Sequence, residues 1–540
     1  MKYLRLAGLA FSVALLASCA PDYVNFPNVH YDLASTRSSP VKDITKDNIK
    51  DLGVVWSVDF KALDPSIANG NQNYPVAVDG VLYVTTGKSH VFAFDAATGK
   101  VLWHFKPDSG VDDFAKISPI VANRGVAVAE GKVFALLIDN RVVALDAKTG
   151  AVEKIVAIKD LYPGETDEIT GANGYYETTA PVYFDGKIFI GSSGSDNGVR
   201  GFVMALRASD LSPAWDHPFW TVPPKGQDWL KDSHYQGGGG VWMPVTIDAE
   251  SGLVYFAVGN PAPDFFGENR PGANPYTDSV VAVEAKTGKY VWDGQEIPHD
   301  LWDYDAAASP MLIKAKIGGV DKKIVVQGGK GGLWFAWDAA TGAVVYDGVP
   351  FAKIDHPKPT PEGVLVYPGI LGGENYAPES YDPATGYVLI PGIEYPALIK
   401  SATHQDKLDK SFGYGALIFG TTMAATPPDI VPYGTVTAID VTTGKIVYQN
   451  KTDNMMRGGF TNTSSGLAFY GELDGIYRAI DIKSGSTVWE WQLDGDNVGG
   501  APAIYQVKGK SYVALTSGGT KPKLFVFALG GDKTQGQPVQ

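Results

Sequence analysis

The sequence predicts an all-β protein, an eight-bladed β-propeller whose blades are four-stranded antiparallel sheets. The 540-residue chain contains 63 glycines and has prolines spread along it, which favours short strands and turns over helices. An eleven-residue pattern, Ala-x-Asp-Ala-x-Thr-Gly-x-x-x-Trp, recurs at intervals of 41 to 102 residues. The two chain ends carry complementary halves of this pattern, so their pairing would close the ring and remove exposed sheet edges.

Each copy of the pattern is typical of a strand, a tight turn and the start of the next strand. The Gly supplies a positive φ, and the Asp side chain can close the turn on the backbone. The aromatic residue at the end can then dock on a neighbouring unit. The seven copies, some imperfect, are Ala93–Trp103, Ala144–Lys154, Ala205–Trp215, Ala282–Trp292, Ala336–Tyr346, Ala438–Tyr448 and Ala479–Trp489.

The eighth unit is divided between the chain ends. Trp56, within Leu52–Phe60, is the aromatic residue without the preceding turn, and Phe525–Leu529 is the first half of the pattern without its second half. We therefore expect the strand around Leu524–Leu529 to pair with the strand around Trp56. The predicted propeller covers residues 43–531, followed by a tail over 532–540.

The N-terminal residues 1–18 are predicted to be a signal peptide. Two basic residues, Lys2 and Arg5, precede the apolar run Leu6–Ala17, which is too short to span a bilayer. The sequence Leu-Ala-Ser before Cys19, the only cysteine, resembles the lipobox of bacterial lipoproteins, although ordinary cleavage with an incidental Cys19 is the alternative. The expectation is a lipidated Cys19, a polar tether over 19–42, and attachment on the periplasmic side of the cell envelope, at the outer membrane.

The charge balance argues against one class of partner. A net charge of −14 disfavours nucleic acid, because phosphate binding requires a basic face. The single cysteine also excludes a Cys-x-x-Cys-His haem attachment site within the chain.

An acidic motif lies within Gln295–Pro310, where Asp300, Asp303 and Asp305 surround Trp302. Carboxylates this close raise each other's pKa values unless a positive charge lies among them. A bound metal ion would reverse that effect. The motif therefore predicts either a metal-dependent site or a solvated acidic loop.

The repeat, the chain length and the motifs in the insertions together resemble the quinoprotein alcohol dehydrogenases. These are eight-bladed propellers that hold pyrroloquinoline quinone (PQQ) and a metal ion on the central axis. The resemblance extends from about Asp43 to Gly530 and includes Ile44–Trp56 and Gly466–Gly518. It implies oxidation of an alcohol or related hydroxylated substrate by hydride transfer to PQQ. Without a haem domain, the electrons would pass to an external acceptor such as a cytochrome c or a quinone.

The resemblance also implies a metal site. Asp303, in His-Asp-x-Trp-Asp, would be the general base that takes the proton of the substrate hydroxyl. Asp305 is typical of lanthanide-using members, but the same spacing occurs in sugar dehydrogenases that use divalent ions, so calcium and a lanthanide both remain open. The implied metal ligands are Asp196, where glutamate is usual, Asn260 in Gly259–Pro263, Asp303 and Asp305.

Seven residues are implied as PQQ contacts. Trp242 would offer a flat stacking surface, Arg124 would pair with a PQQ carboxylate, and Lys330 would stand against the quinone oxygens. The other implied contacts are Thr178, Ser193, Gly194 and Asn375.

Three features depart from the family pattern. Ser118-Pro119 occupy the place of a vicinal disulfide, Gln72 replaces a glutamate, and Tyr376 replaces a tryptophan. Two alternatives therefore remain: a propeller lipoprotein that acts as an outer-membrane assembly scaffold, and a family member that has lost activity. A scaffold has no need for the site motifs together.

Overall fold

The computed structural model describes residues 22–108, 121–223, 237–401, 420–493 and 496–534. The predicted signal peptide, Cys19, Ser118-Pro119 and most of the predicted tail lie outside the described residues. Within these ranges, no helix has both the length and the apolar character needed to cross a bilayer.

The described residues form mainly strands. The N-terminal elements are β1 (Tyr23–Val24), β2 (Ser38–Ser39), β3 (Leu52–Asp59) and helix α1 (Phe60–Leu63). Blade 1 contains β4 (Val76–Val78), β5 (Val81–Thr85), β6 (Val91–Asp95) and β7 (Val101–Phe105). Blade 2 contains β8 (Ala127–Ala129), β9 (Lys132–Leu137), β10 (Arg141–Asp146) and β11 (Val152–Ala157). Blade 3 contains β12 (Val182–Phe184), β13 (Lys187–Gly191), β14 (Phe202–Arg207) and β15 (Phe219–Trp220).

The middle of the chain adds three blades and two small sheets. Blade 4 and its insertion contain β16 (Gly237–Gly238), β17 (Thr246–Asp248), β18 (Leu253–Val258), β19 (Pro261–Ala262), β20 (Ser279–Glu284) and β21 (Tyr290–Gln295). Blade 5 contains β22 (Met311–Ile317), β23 (Val320–Gly328), β24 (Leu333–Asp338) and β25 (Val344–Pro350). Blade 6 and its insertion contain β26 (Val364–Val366), β27 (Ser380–Asp382), β28 (Tyr387–Glu394), β29 (Ala397–Ser401), β30 (Thr421–Ala425), β31 (Tyr433–Asp440) and β32 (Lys445–Thr452).

The last two blades complete the set. Blade 7 contains β33 (Thr461–Thr463), β34 (Leu467–Gly471), β35 (Ile476–Asp481) and β36 (Thr487–Gln492). Blade 8 contains β37 (Ala503–Val507), β38 (Lys510–Thr516), β39 (Lys523–Leu529) and the N-terminal strand β3. Short 3-10 helices occupy Ile49–Asp51, Gly87–Ser89, Ile158–Asp160, Gly171–Asn173 and Ser195–Asn197.

The predicted all-β fold with four-stranded antiparallel blades is confirmed. Eight blade sheets lie within the described residues: six have four strands, and blades 7 and 8 each gain a fifth strand, β2 and β1. The smaller β16–β19 and β26–β29–β30 sheets belong to insertions. The predicted pairing of the chain ends is also present, with Trp56 of β3 opposite Val526 of β39. A buried apolar cluster joins blade 8 to blade 1 through residues such as Leu82, Phe94 and Leu524.

The repeat acts as a link between blades. The ring of Trp103 lies over Gly150 of the next blade, and its indole Nε1 donates to the carbonyl of Ala147 at 3.0 Å. A Cβ atom at Gly150 would lie 2.7 Å from that ring, so the position requires glycine. The same contact recurs between Trp215 and Gly288 and between Trp292 and Gly342.

The prediction of a polar tether over 19–42 is wrong for the described residues from 22 onward. Strand β1 pairs with β37, and β2 pairs with β33. Arg37 is fully buried, and its guanidinium donates to the carbonyls of Val29, Phe460 and Pro502. These carbonyl groups supply hydrogen bonds to the buried guanidinium. A segment with a polar sequence can therefore pack as part of the propeller.

Candidate active site

A cavity of about 220 Å³ gathers the residues predicted as functional. Its lining comes from loops of several blades that are distant in sequence. The predicted residues that line it are Arg124, Thr178, Ser193, Gly194, Asp196, Trp242, Asp303, Asp305, Lys330 and Asn375. Among the predicted cofactor and metal contacts, Asn260 is the one outside that lining, and its backbone N–H donates to Asp305 Oδ1 at 3.0 Å.

A buried lysine joins the two central aspartates. Lys330 Nζ lies 2.7 Å from Asp303 Oδ1 and 2.5 Å from Asp305 Oδ2. Burial acts to lower the pKa of Lys330, but the two carboxylates outweigh it and raise that pKa. Burial raises the pKa of Asp303 well above its usual range, and the Lys330 charge opposes that rise. Lys330 therefore favours the ionised form of Asp303.

Asp305 holds two predicted partners in place. Its Oδ1 accepts from the indole Nε1 of Trp242 at 3.2 Å as well as from the Asn260 amide. The indole orientation is thus fixed from one edge. The side-chain Oδ1 of Asn260 is buried without a hydrogen-bond partner within the described structure. An orphaned buried carbonyl oxygen of this kind suits a cation ligand.

Asp264 is a candidate that the sequence prediction missed. Its side chain is fully buried, and neither carboxylate oxygen has a hydrogen-bond partner among the described residues. Burial raises its pKa well above the usual range, with further contributions from the charges of Asp196 and Asp303. Burial, followed by the charge of Asp305, raises the pKa of Asp196 to about 6. The local signal was available, because Asp264 directly follows Gly259–Pro263.

The donor set fits a hard cation. It offers carboxylate and amide oxygens, the ligands that calcium and lanthanide ions prefer, with a single lysine among four aspartates. Lys330 lies between two of these carboxylates, Asp303 and Asp305.

Arg124 provides a buried positive charge on another wall of the cavity. Its Nη2 donates to Gln72 Oε1 at 2.5 Å, its Nη1 donates to the Trp242 carbonyl at 3.1 Å, and the guanidinium lies 4.9 Å from the Trp242 ring centre. Its Nε has no partner within the described residues. Gln72 supplies an acceptor without a negative charge, so the Arg124 charge remains available to an anionic ligand.

The remaining predicted contacts line the same space. Thr178 Oγ1 and Ser193 Oγ are 2.8 Å apart. Gly194 has φ 92°, and a Cβ there would lie 2.7 Å from the Gly174 carbonyl oxygen, so the loop requires glycine. Asn375 Oδ1 accepts from the Tyr376 amide at 2.8 Å. Arg457, which sequence reasoning missed, places its guanidinium 4.7 Å from the Tyr376 ring centre.

Three buried glutamates behind Lys330 were also missed. A Cβ at Gly328 would lie 2.2 Å from Glu374 Oε2 and 2.6 Å from Glu379 Oε1, and a Cβ at Gly329 would lie 2.0 Å from Glu296 Oε2. The glycines before Lys330 therefore make room for carboxyl groups. Burial raises the pKa of Glu379 to about 7. The sequence gives no local sign that these distant glutamates meet.

Comparisons with known proteins identify the family of the chain. Residues 26–352 and 350–513 match the family profile "PQQ: Glucose/ethanol/alcohol dehydrogenase, beta-propeller domain". The quinohemoprotein alcohol dehydrogenase of Comamonas testosteroni is 31% identical over 93% of this chain and 73% of its own length. The quinoprotein alcohol dehydrogenase PedH of Pseudomonas putida is 30% identical over 89% of this chain and 84% of its own length.

A solved structure shows the same likeness. The quinohemoprotein alcohol dehydrogenase ADHIIG of Pseudomonas putida superposes with a TM-score of 0.84 at 27% identity, over 96% of this chain and 82% of that one. The chain belongs to the PQQ-dependent alcohol dehydrogenase family, whose members are oxidoreductases acting on CH–OH groups.

Proposed function

We propose that this protein oxidises an alcohol or a related hydroxylated compound with bound PQQ and one metal ion, with Asp303 as general base. The observation that carries the proposal is the Asp303–Lys330–Asp305 group in the wall of the cavity that the predicted PQQ contacts also line. When bound, PQQ supplies the two-electron acceptor, and the ion polarises its carbonyl. The electrons then pass to an external acceptor such as a cytochrome c or a quinone.

Asp303 is suited to accept the proton of a substrate hydroxyl. Its Oδ1 is engaged by Lys330 Nζ at 2.7 Å, so the proton is assigned to Oδ2. Lys330 lowers the pKa of a carboxyl group that burial alone would keep protonated. The Lys330 charge therefore shifts Asp303 toward the ionised form, which is the form that accepts a proton.

The other residues bind and orient. Trp242 offers an indole face for a planar ring system, with Asp305 fixing its edge. Arg124 and Lys330 supply cationic groups for the acidic and quinone oxygens, together with contacts from Thr178, Ser193, Gly194 and Asn375. Asp196, Asn260, Asp303 and Asp305 would hold the ion, with Asp264 as an additional carboxylate.

The test is reconstitution of purified apo-protein with PQQ, in parallel with Ca²⁺ and La³⁺, followed by dye-linked oxidation of an alcohol panel. Asp303→Asn should keep PQQ bound and lower the rate by about 100- to 10,000-fold, because an amide cannot accept the proton. Asp347→Asn, at an exposed position, is the matched control. Parental turnover by Asp303→Asn would refute the base assignment, and a parent that binds no PQQ would favour the scaffold alternative.

We also propose attachment to the membrane through lipid on Cys19, with the propeller on the periplasmic side, at the outer membrane. Tyr23 and Val24 pair with β37 of blade 8. The four residue steps from Cys19 to Tyr23 span at most about 14 Å. The propeller would then lie directly beside the bilayer surface. Cys19→Ala should release the protein from membranes and change its mature mass; unchanged fractionation would contradict the lipid anchor.

A further inference from the structure

A second group of potential metal ligands lies outside the central cavity. The side chains of Asp64, His90 and His104 place one ligand atom each within 4.8 Å of one another. None of the three lines the cavity described above. Asp64 follows helix α1, which continues from the blade 8 strand β3, whereas His90 and His104 belong to blade 1. The group therefore lies where the last and first blades meet.

The two imidazoles are arranged as a pair. His90 Nδ1 and His104 Nε2 are 3.0 Å apart, close to the separation of about 3.3 Å between two nitrogens on one tetrahedral Zn²⁺. Burial, followed by the proximity of His104, lowers the pKa of His90 to about 4, and burial lowers that of His104. Both rings are therefore neutral at neutral pH, which is the form that binds metal ions.

Asp64 adds an ionised carboxylate. Hydrogen bonds from Lys106 and then from Ser66 hold its pKa well below the usual range. Lys106 Nζ contacts Oδ2 at 2.8 Å, and the Ser66 amide and hydroxyl contact Oδ1 at 2.9 and 2.6 Å. Oδ1 accepts two hydrogen bonds, whereas Oδ2 accepts one and keeps a second lone pair through which the acid can bind a metal ion.

The ligands are held by the surrounding fold. The amide of Asp64 donates to the Phe60 carbonyl at 2.9 Å, which places the aspartate at the end of α1. The His104 ring stacks on Phe92 with 4.0 Å between ring centres and 7° between planes. His90 is 2% exposed. Little rearrangement would therefore be needed for the three side chains to act together.

We propose that Asp64, His90 and His104 bind a divalent transition-metal ion such as Zn²⁺. The ion would link the segment that leaves blade 8 to the outer part of blade 1. Two imidazoles and a carboxylate suit Zn²⁺, Ni²⁺ or Cu²⁺, whereas calcium and lanthanide ions prefer all-oxygen sites. The central aspartates and this group therefore select different ions. Three protein ligands leave a fourth position for water.

The test uses the full-length protein, stripped with a chelator and then saturated at the central site with La³⁺. Co²⁺, a spectroscopic probe for Zn²⁺ sites, should bind with one equivalent, give the visible absorption of a four-coordinate ion, and be displaced by Zn²⁺. His104→Gln and Asp64→Asn should each weaken Zn²⁺ by about 10-fold or more. Zn²⁺ should also raise the Tm of the parent and not that of His104→Gln.

Two further variants separate a metal site from a simple histidine hydrogen bond. His217→Gln, at an exposed histidine paired with Glu165, should bind Co²⁺ as the parent does. Lys106→Met should strengthen Zn²⁺ binding, because it removes a cation beside Asp64. Absence of Co²⁺ binding, or equal binding by the parent, Asp64→Asn and His104→Gln, would overturn the proposal.

Discussion

Trp242 connects the cofactor-binding and metal-binding sides of the cavity. Its ring lies beside the Arg124 guanidinium, and its indole N–H donates to Asp305 at 3.2 Å. Trp242→Phe keeps an aromatic face but loses the hydrogen bond, whereas Trp242→Ala loses both. We expect PQQ affinity, measured by fluorescence titration, to fall by about 10-fold or more in Trp242→Ala and by less in Trp242→Phe. Equal affinity of the parent and Trp242→Ala would exclude stacking on this ring.

Asp264 should influence which ion the central site prefers. Its carboxyl group lies close to Asp196, Asp303 and Asp305, and its ionisation on metal binding would add a negative charge that favours an ion of higher charge. Asp264→Asn should weaken binding of Tb³⁺, followed by its luminescence, more than binding of Ca²⁺, followed by calorimetry. Asp347→Asn serves as the control for loss of a carboxylate elsewhere. An unchanged ratio of the two affinities would show that Asp264 does not contribute to metal choice.

The sequence predicted these site residues unevenly, for physical reasons. Asp303 and Asn260 lie in short contiguous sequence motifs, so they can be recognised without the structure. Asp264 directly follows one of these motifs, but its burial without a hydrogen-bond partner is visible only in the folded structure. Arg457 becomes recognisable only when folding places it beside the Tyr376 ring. Gln72 was noted as a departure, but its role as the neutral partner of Arg124 requires the three-dimensional contact.

The link between blades can be tested with two glycines of blade 2. Gly150 and Gly131 have φ of 71° and 73°, but a Cβ meets the Trp103 ring at 2.7 Å only at Gly150, and open space at Gly131. Both Ala substitutions strain the backbone equally, so their difference isolates the aromatic contact. Gly150→Ala should lower the free energy of unfolding by about 1–3 kcal/mol more than Gly131→Ala, as measured by urea denaturation. Equal losses would mean that the ring moves aside freely.

The strands of the repeat were predictable because the turn residues are local. Ala93 lies opposite Trp103, and Ala282 lies opposite Trp292, as a ten-residue spacing across a tight turn requires. The β26–β29–β30 sheet and the packed segment 22–42 lack any repeat. Segment 22–42 pairs with β33 and β37, which are far away in the chain, so composition alone suggested a tether there.

The folded molecule encloses three carboxyl groups behind Lys330. Glu296, Glu374 and Glu379 meet beside β23, and all three have pKa values raised first by burial. A raised pKa means that the folded protein binds protons more tightly than the unfolded chain does. Their contribution to stability is therefore present at low pH and is lost as pH rises.

The pH dependence of unfolding tests this cluster. Glu379 has a folded pKa of about 7 against 4.5 for the ordinary group, so the free energy of unfolding should fall as pH rises between these values. The loss attributable to Glu379 should be about 3 kcal/mol, from about 1.4 kcal/mol per pKa unit. Glu379→Gln cannot titrate and should flatten the slope between about pH 5 and 7. The exposed Glu362→Gln should keep the parental slope. The free energy of unfolding is measured by urea denaturation at each pH. The same pH dependence in the parent, Glu379→Gln and Glu362→Gln would show that the cluster does not release its protons in this range.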